Sequence, residues 1–272
     1  MTDAMSAADT PTPADTLVLP GVALPPSHRL VSLATRPDLQ RALSLHCSQV
    51  WAPFMLEDAV SNELWHHLAE DFPAFQLLIL DGQDRIMVGG NAAPLVWDGT
   101  DEGLPDGWDD QLQRSVTDML AGRKAASLGA IQVVVDPIHQ GNGWSGVMLR
   151  AMCSAARAHG LRALMACVRP TWKERYPLVP IERYVTWRRG DGLPFDPWVR
   201  LHVRSGGRIV RSSPRSMQVT GSVAQWQEWA GMPFPESGDF VVPGAAALVH
   251  IDRDVDLGTY HDPNVWIVHD LT

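Results

Sequence analysis

The strongest constraint on this fold lies between residues 130 and 160. Ala130-Ile131-Gln132-Val133-Val134-Val135 is an apolar run that reads as a buried strand. Val147-Met148-Leu149-Arg150-Ala151-Met152 reads as a helix ending near His159-Gly160. Between them stands Asp136-Pro137-Ile138-His139-Gln140-Gly141-Asn142-Gly143-Trp144-Ser145-Gly146. A strand, a glycine-rich turn and a helix N-terminus together aim backbone N–H groups and the positive end of a helix dipole at one spot. Phosphate suits such a cradle, so a phosphorylated small molecule is the expected ligand.

Composition narrows the class. The 272 residues are 45% hydrophobic, enough for one substantial core or two modest ones. Lys and Arg total 22 against 31 Asp and Glu, a net charge of −9, which argues against a nucleic-acid partner. Any phosphate site must therefore rest on local geometry. Cys47, Cys153 and Cys167 show neither metal-type spacing nor an even disulfide set, and no metal site is expected. No apolar run reaches membrane-span length and the first residues lack a secretory pattern, so a cytoplasmic protein without a membrane partner is expected.

Along the chain, residues 1–26 are rich in Ala, Asp, Thr and Pro and read as a disordered lead-in. Residues 29–34 read as a strand, followed by a helix opened by Pro37 and a second helix over 57–68. Residues 75–80 and 85–92 form an expected antiparallel pair around Asp81-Gly82-Gln83-Asp84. Residues 98–126 look like an insertion carrying a helix with Trp108, Leu112, Val116 and Leu120 on one face, either docked or acting as a lid. Residues 163–168 are apolar without alternation, the pattern of a central strand. Asp196-Pro197 caps a helix stopped by Gly206-Gly207. Later strands are expected at 208–211, 216–219, 240–251 and 265–269, with a short helix at 225–230.

Three readings compete for the glycines. Gly141-x-Gly143-x-x-Gly146 matches a dinucleotide fingerprint in form, which would imply an NADP-binding Rossmann protein. Five residues separate strand from glycine, however, hairpins precede the motif and no βαβ succession follows. A plain tight turn, with glycines chosen only for positive φ, is the second. The third is a resemblance. Strand, two helices, hairpin, strand, glycine turn, helix, strand, helix, strand is similar to the GNAT superfamily of acyl-CoA N-acyltransferases. That family's motif is Val-x-Pro, Gln or Arg, then x-x-Gly-x-Gly/Ala; here it is Val135-Asp136-Pro137, Gln140, Gly143, with Ser145 departing from the final small residue.

The resemblance implies an α/β (α+β) fold with a mixed, mostly antiparallel sheet flanked by helices. It implies an acyltransferase domain over residues 27–210 and an extension over 211–272 that completes the sheet. It implies acetyl-CoA as cofactor and a small-molecule amine as acceptor, attacked directly; a homodimer is left open. Gln140, Gly141, Asn142, Gly143, Trp144, Ser145 and Gly146 would hold the pyrophosphate, and Val133, Val134 and Val135 would pair with the pantetheine arm. The strands carrying Val135 and Cys167 would splay to admit that arm. Many family members carry a Tyr four residues before the glycine that ends the next helix; His202 stands there and is the expected proton donor, with Tyr176, Tyr184 and Tyr260 as alternatives. No carboxylate lies on the central strand, so the base stays unassigned. The departures also favour a competing class, a non-catalytic acyl-CoA-binding or regulatory module. Arg169 and Lys173 read as surface charge or contacts to the coenzyme 3′-phosphate.

Overall fold

The computed structural model describes residues 14–272. Nine strands among these residues join one sheet in the order β1-β2-β3-β4-β5-β9-β8-β7, with β6 also paired to β9. The strands are β1 (Arg29–Ser32), β2 (Leu77–Leu80), β3 (Ile86–Leu95), β4 (Ser127–Val135), β5 (Ala163–Val168), β6 (Arg208–Gly221), β7 (Gly238–Phe240), β8 (Val249–Asp252) and β9 (Leu257–Asp270). The helices are α1 (Gln40–Ser48), α2 (Ala59–Leu64), α3 (His66–Glu70), α4 (Trp108–Leu120), α5 (Trp144–Ala158), α6 (Ile181–Tyr184), α7 (Pro197–Arg204) and α8 (Val223–Ala230). Only β4 and β5 run parallel; every other pair is antiparallel. The expected mixed, mostly antiparallel sheet is therefore present, and the dinucleotide reading falls because its parallel βαβ sheet is absent.

Helices cover both faces of β3 and β4. A Cβ on Gly89 would meet Leu43 and Cys47 of α1, and one on Gly90 would meet Met148 and Met152 of α5. Because side chains alternate along a strand, α1 and α5 lie on opposite faces, and bare backbone lets both approach closely. α4 shares the α1 face, where Gln111 packs on Gly129. Its stripe buries Trp108, Leu112 and Val116, but Leu120, the last residue of the helix, is 71% exposed. It is a docked helix.

Several boundaries differ from expectation. Residues 1–13 of the lead-in lie outside the described residues. Residues 14–26 are strapped to the fold: the Leu17 N–H donates to the Leu30 carbonyl at 2.7 Å, Ser154 donates to the Pro20 carbonyl at 3.0 Å, and Leu17, Leu19, Val22 and Leu24 pack on the core. The Pro- and Ala-rich composition masked those four anchors. The helix over 57–68 is split, with α2 and α3 meeting at Trp65. β6 runs unbroken across residue 210, with bulges near 210 and 214–216, because β9 offers fourteen residues of continuous partner. Residues 240–251 are interrupted at Pro243-Gly244, where Gly244 has φ +82°.

Candidate active site

β4 and β5 are paired only from Ser127 with Ala163 to Ala130 with Ala166. Beyond that point they part. The separation coincides with a bulge at Ile131, which has no partner in β3 between the pairs Asn91–Gln132 and Ala92–Ala130. The freed carbonyls are taken by α4: Trp108 Nε1 donates to the Ile131 carbonyl at 2.9 Å and Gln111 Nε2 to the Ala130 carbonyl at 3.0 Å. Asp136 donates to the Met87 carbonyl on the β3 side. Antiparallel alternation then turns the peptide groups of Val133 and Val135 toward the gap, while those of Gln132 and Val134 face β3. A gap edged by unpaired strand backbone can accept an extended, amide-bearing chain as a surrogate strand.

The glycine turn stands at the head of this gap. Gly141 and Gly143 adopt φ +78° and +80°, with no atom within 4 Å of the position a Cβ would take. Glycine is needed there for conformation, since an L side chain rarely adopts such φ. Among the described residues, the amides of Gly141, Asn142 and Gly143 donate to no protein group, and those of Trp144 and Ser145 open α5 without intrahelical acceptors. Gly146 instead donates to the Gly143 carbonyl and is buried, so its role is structural. Gln140 Nε2 donates to the Val135 carbonyl at 3.2 Å, and His28 stacks on Trp144 with ring centroids 5.3 Å apart. Asp136 caps the turn, its side chain accepting from the Ile138 N–H at 3.0 Å. These features fit a diphosphate followed by an amide-containing arm.

His202 does not lie in the gap. It is 1% exposed, its Nδ1 is 2.9 Å from His269 Nε2, and it packs edge-on against Trp198. His269 pairs with Leu164, at the closed end where β4 and β5 are still joined. Burial, with the like charge of His269 added, pushes His202 down to about 3, so it is a neutral core imidazole. The proton-donor assignment is therefore withdrawn. Tyr184 bonds Asp196 at 3.0 Å and Tyr260 bonds Asp262; both are buried, and burial raises both phenols. Tyr176 sits in an aromatic cluster with Tyr184, Trp187 and Phe195. Arg169 and Lys173 are not surface charges either. Arg169 pairs with buried Asp262 at 2.9 Å, and the Lys173 ammonium binds the Tyr176 and Ala246 carbonyls. Burial lowers Lys173 to about 8.

Residues that sequence spacing did not bring together line the α1 face of the gap. Trp51 Nε1 donates to Gln132 Oε1 at 3.0 Å, and its ring lies 5.9 Å from the Arg169 guanidinium carbon. Gln132 Nε2 donates to Asn91 at 2.8 Å, and Asn91 in turn to Gln76 at 2.8 Å, so a buried amide chain fixes Gln132. Asp109 Oδ2 accepts from the Gln218 N–H at 3.0 Å, whereas its Oδ1 is buried without a partner. Burial and the facing charges of Asp58 and Asp262 raise Asp109 to about 7, against the opposing Gln218 bond. Asp58 caps α2 and Asp109 stands in the first turn of α4, and no local signal in the sequence marks either as part of a site.

No protein-family model matches the chain. A curated relative, the arginine N-acetyltransferase avaD of Aspergillus versicolor, is 32% identical over 282 residues, covering 92% of this chain and 97% of the relative. The chain belongs to the GNAT superfamily of acyl-CoA N-acyltransferases. The GNAT architecture is also that of the loading GNATL domain of CurA from Lyngbya majuscula, with a TM-score of 0.53, 16% identity, and 90% of this chain and 98% of that one covered. The GphF GNAT-like decarboxylase in complex with isobutyryl-CoA matches with a TM-score of 0.53 and 17% identity, over 90% of this chain and all of that one (100%). The 32% identity to an N-acetyltransferase over nearly the whole of both chains makes this protein an acyltransferase enzyme, which sets aside the purely regulatory reading. No helix among the described residues is long and apolar enough to cross a membrane, and no His/Cys/Asp/Glu group there is suited to a metal ion.

Proposed function

We propose that this enzyme transfers an acetyl group from acetyl-CoA to a primary amine of a small cationic acceptor, with arginine the leading candidate. The observation that carries the reading is the gap between β4 and β5, headed by free amides from Gly141 to Ser145. Those amides and the α5 N-terminus would hold the pyrophosphate. The peptide groups of Val133 and Val135 would pair with the pantetheine arm. Coenzyme A supplies the activated thioester. The Val133 N–H is the first β4 donor past the bulge that faces the gap, and it would polarise the thioester carbonyl and stabilise the oxyanion formed on attack. Trp51 and the fixed Gln132 amide form the wall from which an acceptor would approach, and Trp108 closes the floor. The acceptor class is supported by the name of the curated relative, an arginine N-acetyltransferase.

The test is thiol release from acetyl-CoA across a panel of amines, with mass spectrometry of the products. Acetylated arginine or a related cationic amine is the expected product. Coenzyme binding without release of thiol on any amine would overturn the assignment.

A further inference from the structure

Four side chains form a hydrogen-bonded file from the core to the mouth of the gap, and its direction is fixed. Gln76 is fully buried, and its Nε2 donates to the Phe72 carbonyl at 2.8 Å and to the Ala92 carbonyl at 2.9 Å. Backbone carbonyls only accept, so both amide protons are committed and Gln76 Oε1 must face a donor. Asn91 Nδ2 is that donor at 2.8 Å, which turns Asn91 Oδ1 away to receive Gln132 Nε2 at 2.8 Å and the Cys47 thiol at 3.7 Å. Gln132 must in turn point Oε1 outward, where Trp51 Nε1 donates to one of its two lone pairs at 3.0 Å. No amide in the file can flip without setting like against like. Gln76 and Asn91 are buried whereas Gln132 and Trp51 are half-buried, so the file is sealed at its root and reaches solvent at its tip.

That tip lies at the edge of the gap. Gln132 follows Ala130, the last β4 residue paired with β5, by two positions and directly precedes Val133, whose peptide group faces the gap. The Trp51 ring, bonded to Gln132, also lies against Arg169, which directly follows β5, so Trp51 bridges the two strands where they part. We propose that the second lone pair of Gln132 Oε1 receives an N–H of the reacting amine, and that Gln76, acting through Asn91, is the positioning residue that keeps this oxygen turned outward. This rests on the acetyl-transfer reading above. An amide oxygen accepts a hydrogen bond but takes no proton, so it orients the neutral amine and leaves the nitrogen lone pair for the thioester carbonyl. As the C–N bond forms and the C–S bond breaks, the nitrogen sheds one proton, which ends on the departing sulfur; amine and thioester give amide and thiol. Reversed, the file would present Nε2, a donor that ties up the very lone pair the attack needs.

The experiment measures thiol release from acetyl-CoA with arginine varied, or with whichever amine of the panel reacts fastest. Gln132→Met, which keeps length without an acceptor, should lower kcat/KM for the amine tenfold or more, with the KM for acetyl-CoA within twofold. Asn91→Leu, which leaves Gln132 free to turn, should lower it to a similar degree. The acid introduced by Asn91→Asp still receives Gln132 Nε2 and, when protonated, still donates to Gln76. It should therefore regain at least fivefold of what Asn91→Leu loses. Rates are taken per folded molecule, with the folded fraction read by circular dichroism. A purely structural role for Asn91 would lower the melting temperature but give both Asn91 variants the same kcat/KM. A kcat/KM for Gln132→Met within threefold of the wild type, or equal values for the Asn91 pair, overturns the proposal and leaves acetyl transfer intact. Thiol release on no amine overturns both. If the buried Asn91 variants fail to fold, Gln132→Met, at a half-buried position, decides.

Discussion

At the residue scale, burial decides what each ionisable side chain does. His202 stands where the family resemblance implies a donor, yet its buried ring is neutral and faces His269. His202→Ala should therefore destabilise the protein by about 2–4 kcal/mol through a cavity and a lost hydrogen bond. Turnover per folded molecule should stay within about twofold, a small change on the scale where tenfold is ~1.4 kcal/mol. Urea unfolding and active-site-normalised kinetics check both halves. Asp109 behaves oppositely. Its carboxyl is raised from 3.8 to about 7, so the folded state binds a proton more tightly than the unfolded chain in that interval. The stability this contributes is complete below about pH 4 and is lost as pH rises through 7. With partial exposure allowed for, the amount is on the order of 2 kcal/mol. Asp109→Asn should flatten the fall in melting temperature between pH 5 and 8, read by calorimetry. Neither behaviour was legible in the sequence. The spacing that pointed to His202 carries no information on depth, and residues 58, 109 and 262 converge only through tertiary packing.

At the scale of elements, the glycine turn and its flanking strand and helix were the most legible part of the molecule. Strand, turn and helix are local, and positive φ at Gly141 and Gly143 follows from chemistry that only glycine satisfies readily. Gly143→Ala should cost about 1–2 kcal/mol in backbone strain and should raise the KM for acetyl-CoA by tenfold or more, while an acceptor KM changes little. Initial-rate kinetics with each substrate varied in turn would show the split. Other elements were misread for reasons of the same kind. Ser212-Ser213-Pro214 looks like a turn between two strands, but a long facing partner lets β6 bulge and continue. The apolar stripe of α4 was expected to reach Leu120, but that last residue is exposed, since spacing alone does not show where a packed face stops.

At the scale of the whole molecule, the C-terminal segment is the midline of the sheet. β9 is hydrogen-bonded to β5 and β8 along one side and to β6 along the other. Trp266, Ile267 and Val265 are completely buried within it. The resemblance implied an extension over 211–272 that completes the sheet, but its place along the midline was not legible, because strand order cannot be read from propensity. Removing residues 257–272 should abolish cooperative unfolding, monitored by circular dichroism on heating; a sharp transition in the truncated protein would contradict this. The same placement governs when the sheet can close. β5 has no partner on its β9 side, and β6 none at all, until residues 257–270 have left the ribosome. Until those residues are in place both edges stand open, and open strand edges invite pairing with another chain, so β9 also guards the sheet against association.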